Sequence, residues 1–173
     1  MTVRLPWSDT CFVCGDSNPS GLGGRFVIEE GDVVLRTTPP SWLEGYQGQL
    51  HGGVVTALLD ETIGWACTVA HGRFCVTAEL SIRFLRPVRG GQQVVARGRA
   101  GEVQADRVTG HGELLDARGR RLAAAEGVFV PVSPARHARV IEMLTIDGRP
   151  ATADDLPMVE SAARRDDGPK QND

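Results

Sequence analysis

From Val54 to Ala70 the chain runs without a proline and with a single glycine, and nearly all of its large residues are apolar: Val54, Val55, Leu58, Leu59, Ile63, Trp65 and Val69. One long helix is expected there, entered through the turn-forming His51-Gly52-Gly53. Hardly any polar face is left on it, so it cannot lie on a surface and has to be wrapped by the rest of the chain. That requirement decides the architecture.

The remaining chain supplies strands for the wrapping. Two short β-rich runs, starting at Arg25 and at Val33, flank Glu29-Glu30-Gly31-Asp32, a hairpin turn. After the helix, Cys75 to Leu85 alternates Val76, Ala78, Leu80, Ile82 and Phe84 with Thr77, Glu79, Ser81 and Arg83. Further runs extend from Gln92 to Ala100, Arg107 to Leu115 and Arg121 to Val130, separated by turn formers at 86–91, 102–106 and 116–119. Connections this short cannot make parallel crossovers, so the strands are expected to be mostly antiparallel. One buried helix inside a curled antiparallel sheet is an α+β arrangement. Residues 25–132 are expected to form this domain. Residues 1–24, around Cys11-x-x-Cys14, are dense in turn formers and expected to be an irregular extension. Residues 133–146 have room for a short helix, and the polar, proline-containing 147–173 is expected to be a disordered tail.

Composition narrows the function. The 173 residues carry a formal net charge of −3, which provides no general basic field for nucleic acid or an anionic membrane. Eighteen of the nineteen basic residues are arginine, so a phosphate-bearing ligand would need a local arginine patch. No run reaches about 18 uninterrupted apolar residues, and the N-terminus has no apolar stretch after Arg4, so neither membrane spanning nor secretion is expected. The expected compartment is the cytoplasm, where four cysteines stay reduced. Cys11-x-x-Cys14 has no second clean pair among Cys67, His71 and Cys75, so neither a metal nor any other cofactor is expected.

His51-Gly-Gly-Val-Val-Thr-Ala-Leu-Leu-Asp60-Glu61, followed by Thr77-Ala-Glu-Leu-Ser-Ile-Arg-Phe-Leu-Arg-Pro87, resembles the PaaI-like acyl-CoA thioesterases of the hot-dog fold, within the 4-hydroxybenzoyl-CoA thioesterase superfamily. The resemblance runs from about Cys11 to Val130. Its specific part is the combination of His-Gly-Gly, an acid nine residues after the histidine, and a threonine-containing strand ending in Arg-Pro. It implies a hot-dog homodimer or dimer of dimers that hydrolyses an acyl-CoA thioester. Asp60 is then the catalytic acid, His51 helps to position the carbonyl or the acid, Thr77 holds the attacking water, and Arg83, Arg86 and Arg89 face the phosphates of CoA. Where some relatives carry an asparagine that also holds the water, this chain has Gly45.

The residues support much of this by themselves. Gly52 and Gly53 open a helix whose first N–H groups lack intrahelical partners, so they can receive a thioester carbonyl and the oxyanion that develops on it. Asp60 interrupts an apolar helix, where an ionised group needs a partner or a task. It can act as general base or as nucleophile through a mixed anhydride, and both routes stay open. Glu61 points about 100° further round the helix and is expected to support the site or to meet a partner chain. Gly53 and Asp60 are separated by roughly 10 Å along one helix, so a thioester that touches both must lie between two chains. An enoyl-CoA hydratase and a non-catalytic acyl-CoA-binding module are the alternatives. The first lacks its acid near Gly45 and Tyr46, and the second would not need Asp60.

Overall fold

A computed structural model of the protein describes residues 2–157. In chain order its elements are β1 (Val3–Arg4), β2 (Trp7–Ser8), β3 (Phe26–Glu29), β4 (Asp32–Thr37), β5 (Glu44–Tyr46), β6 (Gln49–Leu50), α1 (Gly52–His71) and β7 (Cys75–Phe84). They are followed by β8 (Val94–Val103), β9 (Val108–Asp116), β10 (Arg121–Pro131), α2 (Pro134–Glu142), β11 (Leu144–Ile146), β12 (Arg149–Pro150) and a 3-10 turn at Ala153–Asp155. Seven strands form one antiparallel sheet in the order β1-β3-β4-β8-β9-β10-β7, and α1 packs across it.

The helix is the expected one. It starts at the His51 cap and stops at Gly72, whose φ of 84° lets its N–H turn back onto the Thr68 carbonyl. It is long and apolar enough to cross a membrane by composition, yet most of it is buried inside the sheet. The β3–β4 hairpin turns through Glu30 and Gly31, both at positive φ, which matches the twist of paired strands.

Glycines set how closely helix and sheet approach. Gly98 of β8 pairs with Gly112 of β9, and Gly110 of β9 with Gly127 of β10. A Cβ on Gly98 would lie 2.8 Å from the Thr62 carbonyl oxygen, and one on Gly110 2.4 Å from Ile63 Cγ2. Residues that weaken a strand locally are therefore the ones that admit α1.

Two expectations change. The N-terminal extension keeps its irregular backbone from Asp9 onward, but Leu5, Val13 and Cys14 are buried in the core, and Cys11 reaches Glu61 midway along α1. Part of the expected tail is folded: β12 pairs with β11, which also pairs with β2, Ala151 is buried, and Arg149 makes a bidentate ion pair with Asp155. A few apolar residues suffice there because they complete a small sheet with Trp7–Ser8. Residues 158–173 of that expected tail lie outside the described residues. Strand β7 is the last of the sheet and largely exposed, with Val76 43% and Phe84 58% accessible.

Candidate active site

Asp60 lies midway along α1 on the side that faces β7, half-buried rather than sealed. The Thr77 hydroxyl, near the start of β7, donates to Asp60 Oδ1 at 2.6 Å. Helix and edge strand thus bring together two residues seventeen positions apart in the sequence. The carboxylate is held from one side, and its second oxygen has no hydrogen bond among the described residues.

The entry to α1 forms the other half of the site. Gly45, Tyr46, Leu50, His51, Gly52, Val55, Phe84, Leu85 and Pro87 line a groove of about 670 Å³. Phe84 closes it on the Gly52 side, where an added Cβ would meet Phe84 Cζ at 3.4 Å. His51 is the N-cap: its Nδ1 accepts from the Gly53 N–H at 2.9 Å. Both glycine N–H groups were expected to be available, and this corrects the expectation for Gly53. A capping imidazole satisfies the donor that an incoming carbonyl would otherwise take. The Gly52 N–H makes no hydrogen bond among the described residues. Gly45 has its own steric reason, since a Cβ there would approach His51 Cδ2 to 3.1 Å. The smallness of position 45 makes room for the imidazole.

The three arginines separate. Arg86 and Arg89 border a second groove of about 740 Å³ next to the first, with Gly90, Gln92, Arg118 and Arg120. Arg86 also lines the groove at the helix entry and donates to the Arg121 carbonyl. Arg83 lies elsewhere, lining a groove on the outer sheet face with Asp32, Arg97, Arg99 and His111. Arg83 shares that face of β7 with Ser81, whereas Arg86 and Arg89 lie past the end of the strand, so the three do not form a common patch.

Glu61 also leaves the site. Its carboxylate turns toward the N-terminal extension, where Cys11 Sγ lies 3.0 Å from Oε2. Burial is the main cause that pushes the Glu61 carboxyl up to about 8. The Cys11 thiol is pulled down to about 5, chiefly by its hydrogen bond with the Cys14 thiol and then by the backbone N–H of Cys14, while the Cys14 thiol is pushed up by the same pairing and by burial. Cys11, Cys14 and Glu61 are the group on this chain with donor atoms close enough to hold a metal, among the described residues. Residue spacing could not reveal this grouping, because its third member lies fifty positions from the first. Tyr46 and Phe84 were missed as groove residues for a related reason: one looked like loop and the other like core, and both are exposed at the groove.

An antiparallel sheet that encloses one long helix, with paired glycines at the helix entry and a carboxylate midway along it, defines a hot-dog protein. A family model described as the thioesterase superfamily matches residues 47–123. The acyl-coenzyme A thioesterase THEM4 of Bos taurus is 31% identical over 124 residues, covering 66% of this chain and 48% of THEM4. The chain thus spans about half the length of this curated relative. The fold matches the PaaI protein of the E. coli phenylacetic acid degradation operon with a TM-score of 0.61 at 22% identity, over 68% of this chain and 86% of PaaI. It also matches smu.793 from Streptococcus mutans UA159, solved bound to acetyl CoA, with a TM-score of 0.58 at 22% identity, over 64% of this chain and 89% of that one.

Proposed function

We propose that the protein hydrolyses an acyl-CoA thioester to free acid and thiol, with Asp60 as general base or nucleophile, at a site shared by two chains. The observation that carries this reading is the Thr77–Asp60 hydrogen bond on a half-buried face of an otherwise apolar helix. A carboxylate kept there without a cationic partner among the described residues is suited to a reaction rather than to stability. The groove at His51–Gly52 does not include Asp60 or Thr77, which fits the roughly 10 Å helical separation and supports a second chain facing the first. The exposed apolar side chains on edge strand β7 support the same pairing, since an uncovered edge of this kind favours association. In such a homodimer, or dimer of dimers, the helix entry of one chain receives the thioester carbonyl while Asp60 and Thr77 of the other act on the carbonyl carbon. The acyl-CoA names carried by THEM4 and by the ligand of smu.793 support CoA as the thiol, with Arg86 and Arg89 placed to meet its phosphates.

A non-catalytic acyl-CoA-binding module is the second reading, favoured by the His51 ring that occupies the Gly53 N–H. In the catalytic reading this ring swings aside, or passes its hydrogen bond to the substrate, as the carbonyl enters. Thiol release from a panel of acyl-CoAs separates the two readings. Mixing Asp60→Asn chains with Gly52→Pro chains, each inactive alone, should restore activity at one of the two sites of each mixed dimer. No thiol release by the wild type on any acyl-CoA removes the hydrolase reading, and no recovery on mixing, with mixed dimers demonstrated, removes the shared site.

A further inference from the structure

Cys11, Cys14 and Glu61 have no part in the proposed hydrolysis, yet the fold assembles them with care. Their two sulfurs and one carboxylate oxygen all lie within 4.8 Å of one another. Cys14 is buried, and Cys11 and Glu61 are half-buried. The backbone is shaped around the first sulfur: the N–H groups of Val13 and Cys14 both point at Cys11 Sγ, at 3.3 and 3.4 Å. Gly15 completes the turn by donating to the Cys11 carbonyl at 3.0 Å. No side chain fits there, since a Cβ would stand 2.4 Å from the carbonyl oxygens of Asp9 and Cys11. A Cys-x-x-Cys-Gly turn with two amides on its first sulfur orients and stabilises thiolate ligands, as supporting hydrogen bonds do around a bound metal.

Glu61 supplies the second, independent observation. It is an acid drawn away from solvent, and no ion pair among the described residues includes it. Its neighbours are two thiols, which bind a metal as thiolates. Three potential anions face one small space, and no ion pair among the described residues brings a cation to them. Calcium and magnesium demand oxygen ligands, whereas two sulfurs and one carboxylate suit a borderline-soft ion. Zinc bonds of about 2.3 Å to sulfur and about 2.0–2.2 Å to oxygen place tetrahedral donors roughly 3.5–3.8 Å apart, within small side-chain movements of the distances here.

We propose that Cys11, Cys14 and Glu61 bind one zinc ion, with water in the fourth position. The ion fastens the N-terminal extension to α1 at the residue next to Asp60, so it holds that turn of the helix. The site is separate from the thioester chemistry, and its test does not require activity. Cobalt(II) titrated into reduced, metal-free protein reads the donor set directly. One equivalent should produce a thiolate-to-cobalt charge-transfer band with the intense visible bands of a tetrahedral ion, and zinc should bleach both. Cys11→Ser or Cys14→Ser should weaken the charge-transfer band. Glu61→Gln should keep that band, alter the visible bands and lower affinity by about tenfold or more.

The wild-type titration alone can refute the proposal, so a variant that misfolds does not protect it. No charge-transfer band at one equivalent, with four free thiols confirmed by titration, overturns the site. A band that is identical in folded Cys11→Ser places the metal elsewhere and also overturns it. A Glu61→Gln protein with unchanged spectrum and affinity overturns the three-ligand assignment.

Discussion

The Thr77–Asp60 hydrogen bond makes a quantitative prediction. Thr77→Val keeps the branched shape that suits an edge strand and deletes only the donor. A hydrogen bond to a charged acceptor contributes about 1.5–3 kcal/mol, and the half-exposed position of Asp60 puts this one at the lower end. If the bond fixes the carboxylate where it reacts, about 1.5 kcal/mol is lost from transition-state stabilisation, which corresponds to roughly a tenfold fall in kcat. Thr77→Ser should stay near the wild type, because the hydroxyl remains. Asp60→Asn should cost about 100-fold or more. In that background Thr77→Val should cost less than about twofold, since no carboxylate is left to position. The assay is thiol release at saturating acyl-CoA, with melting temperatures recorded to confirm that each variant is folded. A Thr77→Val enzyme with wild-type kcat, or one that loses tenfold equally in both backgrounds, would refute the argument that Thr77 acts through Asp60.

Other outcomes follow from the packing and the thiols. Gly110→Ala should destabilise the fold by about 1–3 kcal/mol, because the new methyl overlaps Ile63 and Cys67, and an unchanged urea midpoint would contradict the close helix–sheet contact. Ending the chain after Leu144 should lower the melting temperature measurably, since it removes buried Ile146 and Ala151, and an unshifted melt would show that this small sheet adds nothing. In reduced, metal-free protein the Cys11 thiol, drawn down to about 5 chiefly by its hydrogen bond with Cys14, should be mostly thiolate by neutral pH, whereas an ordinary thiol, near 9.0, is not. Its alkylation rate should therefore be close to its plateau by neutral pH, and a rate still climbing steeply through pH 8 would argue against the lowered value. Analytical sedimentation at micromolar concentration should show dimers or larger, and a fully active monomer would rule out a site built from two chains.

Much of this was legible because apolar pattern and turn chemistry agree. The helix from Val54 onward, the strand series after it and the turn at Glu30-Gly31 all follow from local rules, and Asp60 was conspicuous as the charge that breaks the helical pattern. What was hidden depends on three-dimensional closure. Phe84 alternates like a core residue, and only the position of β7 at the sheet edge exposes it. The direction of Glu61 depends on where an irregular N-terminal segment comes to rest, for which periodicity has no signal. Arg83 and Arg86 look like neighbours in the chain, but Arg83 is still on β7 and lines the outer groove, while Arg86 lies past the end of the strand. The His51 cap competes with the very function that its motif suggests, and only a side-chain rotamer reveals it.

The paired glycines beneath α1 have a consequence for the order in which the molecule assembles. Strands β8 and β9 carry Gly98, Gly101, Gly110 and Gly112, so as an isolated hairpin they have little propensity and few cross-strand side chains to hold them. Their partner surface is Ile63 and Cys67 of the helix. The hairpin therefore gains its stability when α1 docks, which places that docking in the folding nucleus. Ile63→Val should slow refolding more than it speeds unfolding, and a chevron in which only the unfolding limb moves would put the helix late instead.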